Sequence, residues 1–169
     1  MRFRAIILLV PLLLVSGCAG YRLGPTNGRV AGEQSVQINP FKNNTFEPRL
    51  SEPITQAVRK QLQQDGTYRL ATQNDGDVIV NGVILNYDRS GISFQPGDIV
   101  TVRDYTVVVS ARIVAVERST GKTNLNQIVR GRTTVRVGSD LSSAERQAIP
   151  LIAAALARNA VSALADGSW

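Results

Sequence analysis

In SVQIN, residues 35 to 39, Val36 and Ile38 alternate with polar neighbours, the period-two pattern of a strand, and Pro40 closes it. After PFKNNTFEPR the period lengthens. Leu50, Ile54, Ala57, Val58 and Leu62 recur at helical spacing and predict a helix over Ser51–Asp65, with Ser51 as its cap and Gly66 as a left-handed stop. Pro53 falls in the first turn, where a missing N–H costs little. Tyr68 to Thr72 reads as a short strand, and VIVNGVILNY, Val78 to Tyr87, as a central strand apolar on both sides. Residues 88 to 102 hold Gly91, Pro96, Gly97 and Asp98 and read as an irregular connection. Then Tyr105, Val107, Val109, Ala111, Ile113 and Ala115 alternate with Thr106, Ser110 and Arg112. RSTGKTN turns the chain, and Leu125, Val129, Val135 and Val137 alternate with Asn126, Arg130, Arg132, Thr134 and Arg136, which makes a hairpin. Ser142 to Glu145 has the form of a capping box before Ile149, Ile152, Ala153, Leu156, Ala160 and Leu164, one face of a closing helix. Pro150 should bend that helix or split off its first turn, and Asp166-Gly167 ends it.

The predicted order is β-α-β-β-β-β-α. Two amphipathic helices on one face of a mostly antiparallel sheet of four to five strands bury these stripes economically, an α+β fold. In the loop after the first strand, Phe41 and Phe46 are expected to fold back onto the core, with Asn43 and Asn44 making the turn.

The first residues follow another logic. Arg2 and Arg4 precede Ala5 to Val15, an eleven-residue apolar run broken only by Pro11, and the small Ser16 and Gly17 follow. At about 1.5 Å per residue the run is too short to cross a hydrocarbon core of roughly 30 Å, so residues 1–17 read as a secretory signal that is removed. Val15-Ser16-Gly17-Cys18 resembles the bacterial lipobox, which makes Cys18 the lipidated residue. The alternative is an ordinary signal cleaved nearby with Cys18 a free thiol, a liability in an oxidising compartment. By the same resemblance, Ala19 rather than Asp after the cysteine implies sorting to the outer membrane, with a lipid anchor on its periplasmic face. Residues 18–34, rich in Gly, Asn and Pro, suit a tether, and residues 35–169 form a single domain.

Composition narrows the chemistry. Removing residues 1–17 from 169 leaves 152, and seventeen basic residues against thirteen acidic ones give a formal charge of +4. Export removes nucleic acid as the partner of that charge and leaves anionic headgroups, phosphorylated glycolipids or acidic protein surfaces. The chain has no histidine and no second cysteine, so zinc sites, redox pairs and histidine-based triads lack their parts. No cofactor, metal site or enzymatic activity is expected. A hydrolase would need an acid-base pair, and the spacing of Asp75, Asp77, Asp98, Asp104 and Glu117 singles out none.

The hairpin offers the clearest candidate surface. If Glu117 faces Leu125, then Arg112 faces Arg130, Ser110 faces Arg132, and Arg136 lies farther along the same face. Like charges placed opposite each other destabilise a sheet, so such a stripe points to an anionic contact, or else to a solvated face whose arginine stems cover the valines between them. A register shift of two residues would relax the pairing and keep the stripe. Arg118 and Lys122 at the tip are further candidates for an anionic headgroup. Gly121-Lys122-Thr123 mimics the end of a P-loop, but the first glycine would fall at Val116, and a hairpin is not a strand-to-helix loop.

Taken in order, the lipobox, GYRL soon after the cysteine, NPFKNNTFEPRLSEPIT, VRKQLQQDG within a helix and then TYRL resemble the lipopolysaccharide-assembly lipoprotein family, LptE. The resemblance runs in motif from Cys18 to about residue 87 and in element order to the end. It implies a lipoprotein with two helices packed on a sheet that plugs an LptD-like translocon β-barrel, assists its assembly and binds lipopolysaccharide. No motif carries the family's basic ligand residues onto this hairpin. Another outer-membrane lipoprotein with a small α/β body, a cell-wall synthase activator or a secretion-pore subunit, is the alternative.

Overall fold

The computed structural model describes residues 31–137 and 140–166. The signal segment, Cys18, the tether as far as residue 30 and Gly167 lie outside the described residues. The elements are β1 (Ser35–Ile38), β2 (Lys42–Asn43), α1 (Ser51–Asp65), β3 (Arg69–Ala71), β4 (Val78–Gln95), β5 (Asp98–Glu117), β6 (Thr123–Arg136) and α2 (Leu141–Asp166). The α+β class and the element order are as the periodicity requires, with one added short strand. The sheet has six strands in the order β3-β1-β4-β5-β6, with β2 also on β4. It is mixed rather than mostly antiparallel, because β1 runs parallel to both β3 and β4 and β2 runs parallel to β4. A helix between β1 and β3 returns the chain in the same direction, which a tight turn cannot do.

Both helices pack on one face. Val36, Ile38, Val80, Ile84, Val107, Val109, Ala111 and Ile113 meet Ile54, Val58, Leu62, Ile152, Leu156 and Leu164, all buried. Each such side chain contributes about 1.5–3 kcal/mol relative to exposure. Tyr68, just before β3, ties that segment to the last turn of α2, its hydroxyl donating to the Leu164 carbonyl at 3.1 Å. Close approach is purchased with missing side chains. A Cβ on Gly131 of β6 would lie 2.6 Å from the Ile152 carbonyl oxygen and 2.8 Å from Leu156 Cβ, and one on Gly82 would lie 2.3 Å from the Phe41 ring.

The helix ends differ from the sequence expectation at their starts. Gly66 does stop α1, at φ 74°, its N–H donating to the Leu62 carbonyl. Ser51 is not a cap: Leu50 stands at that position without a side-chain bond, and the Ser51 hydroxyl donates to the Phe41 carbonyl. The capping box of α2 does not form either. Asp140 accepts the N–H groups of Ser142 and Ser143 at 3.1 and 3.0 Å, while Glu145 is drawn to Arg89. Hydrogen bonds from the Ser143 and Ser142 side chains bring the Asp140 carboxyl to a pKa of about 2. An ionised carboxylate at a helix N-terminus outcompetes a serine hydroxyl. α2 runs unbroken through Pro150, which is exposed, so water can take the carbonyl the proline leaves unpaired while Ala148, Ile152 and Ala153 hold the helix on the sheet.

Residues 88–102 are not an irregular connection. β4 and β5 continue as a two-stranded ribbon closed by Pro96-Gly97, where Gln95 pairs with Asp98 and Gly97 has φ 81°. Proline followed by a left-handed glycine is the signature of a type II turn, and the shifts at Gly91, Ser93 and Phe94 that broke the alternation are bulges within the ribbon. The loop after β1 holds β2. Phe41 is buried there as expected, but Phe46 is fully exposed at 109%, because the turn that Asn43 organises faces solvent.

Candidate ligand and partner surface

With both helices on one side, the other face of the sheet is uncovered among the described residues. Alternation along β5 sends Val107, Val109, Ala111 and Ile113 to the core and Val108, Ser110, Arg112 and Val114 to the open face. β6 adds Ile128, Arg130, Arg132, Thr134 and Arg136, and β4 adds Asn81 and Val83.

The register is two residues away from the one expected. Arg112 stands opposite Ile128, Ser110 opposite Arg130, Val108 opposite Arg132 and Asp104 opposite Arg136. The turn sets this: the Glu117 N–H donates to the Lys122 carbonyl at 2.9 Å, Val116 meets Thr123, and the ladder then skips Asn124 to put Ala115 opposite Leu125. The slip spares the sheet directly opposed arginines and keeps all four on one exposed face.

Their surroundings differ. Arg136 Nε donates to Asp104 Oδ1 at 2.9 Å, and an Arg132 amine donates to Thr106 Oγ1 at 3.3 Å. Among the described residues, the guanidinium groups of Arg112 and Arg130 have no hydrogen bond or ion pair. Around them on the same face lie the half-buried Val83, Val108 and Val114 and the exposed Ile128, so unpaired cations stand beside apolar side chains. The turn residues part company. Arg118 donates to the Gly76 carbonyl at 2.7 Å, to Gln37 Oε1 at 2.6 Å and to the Asn74 carbonyl at 2.8 Å, which fastens the hairpin to the segment before β4. Lys122 remains exposed.

Periodicity alone did not reveal the cluster at the base of the ribbon. The buried Asp104 carboxylate accepts from Ser93, from Arg136 and from Arg103 Nε at 3.1 Å, and these bonds hold its carboxyl well below the usual carboxylate range. A pKa lower in the folded than in the unfolded chain stabilises the fold above the unfolded value of about 4, and the contribution is lost as pH falls toward the folded value. Asp104→Asn is therefore expected to flatten stability against pH below about pH 4 relative to the parent, measured by urea unfolding at stepped pH. Identical acid limbs would remove Asp104 from the linkage. Three of the other carboxylates have structural partners: Asp77 accepts from Ser35, Asp98 from Thr101 and Glu117 from Thr120. Among the described residues, no group of three or more metal-binding side chains occurs.

The profile of the family described as LptE, lipopolysaccharide-assembly, matches residues 33–165. No curated sequence matches the chain. Solved structures share the fold at low identity. The hypothetical protein CT253 of Chlamydia trachomatis is 10% identical, covering 80% of this chain and 97% of its own, with a TM-score of 0.58. Protein XCC0632 of Xanthomonas campestris is 9% identical over 86% and 92%, with a TM-score of 0.55. A minor lipoprotein of Acinetobacter baumannii is 10% identical over 79% and 93%, with a TM-score of 0.54.

Proposed function

The chain belongs to the LptE lipopolysaccharide-assembly family, and from that premise we propose that it is a non-catalytic outer-membrane lipoprotein, anchored through Cys18, that docks in an LptD-like translocon barrel and holds lipopolysaccharide on its open sheet face. The observation that carries the ligand half is the pair Arg112 and Arg130, exposed and unpaired beside half-buried valines. Phosphate is the natural partner of an unpaired guanidinium, and apolar surface beside it suits an amphiphile. Arg136 and Arg132 are partly committed to Asp104 and Thr106 and extend the positive field. Lys122 stays available at the turn, whereas Arg118 serves mainly to hold the hairpin.

Lipopolysaccharide binding by the purified chain tests this. Replacing Arg112 and Arg130 together by alanine is expected to weaken binding roughly tenfold or more at low salt, with the difference shrinking as salt rises. Both side chains are exposed, so unfolding midpoints should hardly move. Unchanged affinity in the double variant would take the ligand away from this face. For the barrel, the tagged protein purified from detergent-solubilised outer membranes is expected to bring down one large β-barrel in stoichiometric amount. A cell-wall synthase or a secretion ring in its place would overturn that half.

A further inference from the structure

One side of β4 is occupied for only part of its length. β1 pairs with Val78–Val80 and β2 with Val83 and Ile84, the last bond running from the Asn44 N–H to the Ile84 carbonyl at 3.0 Å. β4 then continues to Gln95 with β5 on its inner side and, among the described residues, no strand on its outer side. The direction of the main chain follows by parity. The Val80 and Ile84 carbonyls point outward, to Asn39 and Asn44. The bulge at Leu85 shifts the pairing with β5 by one, so beyond it Tyr87, Arg89 and Gly91 turn their N–H and C=O groups outward.

Sheets normally blunt such an edge with charge, proline or a covering element. This one carries Asp88 and Arg89, and Arg89 is drawn across to Glu145 of α2 and over the Tyr105 ring, 5.7 Å from its centre. The edge of β6 is treated differently, since the Asn159 amide of α2 donates to the Arg130 carbonyl there at 2.7 Å. Where β2 stops, a groove of about 680 Å³ opens between residues 44–47 and 85–89. Phe46 stands beside it, fully exposed on a fixed turn: Asn43 Nδ2 donates to the Glu47 carbonyl at 2.7 Å, and the Thr45 N–H donates to Asn43 Oδ1 at 3.1 Å. An aromatic side chain presented on a pinned turn has the form of an interface anchor.

We infer that the outer edge of β4 from Asn86 to Gly91 is a strand-addition site, which takes an extended segment of a protein partner in line with β2 and seats an apolar side chain of that segment against Phe46. The complementarity lies in the partial charges of the edge. Outward N–H and C=O groups at every second residue match an extended main chain and nothing globular. This inference does not depend on the glycolipid reading.

The test uses the full-length protein in cells, with benzoylphenylalanine placed one position at a time at Phe46, Asp88 and Ser90, and at exposed Lys60 of α1 as control. Photocrosslinked peptides are sequenced, and amide exchange of Tyr87, Arg89 and Gly91 is compared between the free protein and the purified complex. The expected result is that 46 and at least one of 88 and 90 link to one short segment of one protein, with those three amides exchanging about a hundredfold more slowly in the complex. Links no stronger than those from position 60, or links only to lipid or to a second copy, would overturn the proposal. So would crosslinks without slowed exchange, since these would mean docking through side chains rather than strand addition.

Discussion

Gly131→Val is expected to lower stability by about 3 kcal/mol or more, with a melting temperature down by on the order of 10 °C. The atoms a Cβ would meet are the Ile152 carbonyl oxygen at 2.6 Å and the Leu156 backbone nitrogen at 2.8 Å, and backbone in the middle of a helix cannot turn aside as a flexible side chain can. The branched side chain therefore pushes α2 off β6 or stays unaccommodated. Either result takes Leu156, Ala157 and Ala160 out of tight contact. Urea unfolding checks this through the midpoint, and Gly131→Ala should shift it in the same direction by less. A valine variant as stable as the parent would mean that α2 does not sit this close to the sheet.

Phe41→Ala is expected to cost about 3–5 kcal/mol, the range for emptying a buried aromatic site. The ring is 2% exposed and lies close against Gly82, and its backbone is fixed from both sides: its N–H donates to Thr55 Oγ1 at 3.0 Å and its carbonyl accepts from Ser51. A second consequence separates packing from mere hydrophobicity. Gly82→Ala should be destabilising in the parent, where the methyl would meet the ring at 2.3 Å, and much less so when Phe41 is already alanine. Thermal unfolding of the four proteins gives the coupling. Simple additivity of the two changes would show that ring and glycine do not share one space.

What the sequence made legible was whatever repeats. Both helices, the core side of β5 and β6 and the common face of the arginines follow from periods of 3.6 and 2, and α1 spans the residues its pattern predicted. The misses share a cause: single residues acting against a period. Bulges at Gly91 and Ser93 destroyed the alternation over residues that are nonetheless strand, although QPGD already carried the signal of a tight turn. A turn tighter than expected, partly offset by the skipped Asn124, moved the arginines two places without changing their side. Phe46 was expected inside because it is apolar, but three residues of hydrogen-bonded turn chemistry point it outward. β2 has two residues, too few to show any period, and only its partner Ile84 reveals it.

Among the described residues the first strand, β1, is also an interior one, with β3 on one side and β4 on the other, both parallel to it. That arrangement governs how the domain answers to force. A pull transmitted along the chain before Ser35 in the direction of β1 loads both flanking ladders in shear, so their hydrogen bonds must yield together rather than one after another. A domain held by its N-terminal end would thus meet tension at a strand clamped on both sides rather than at a free edge.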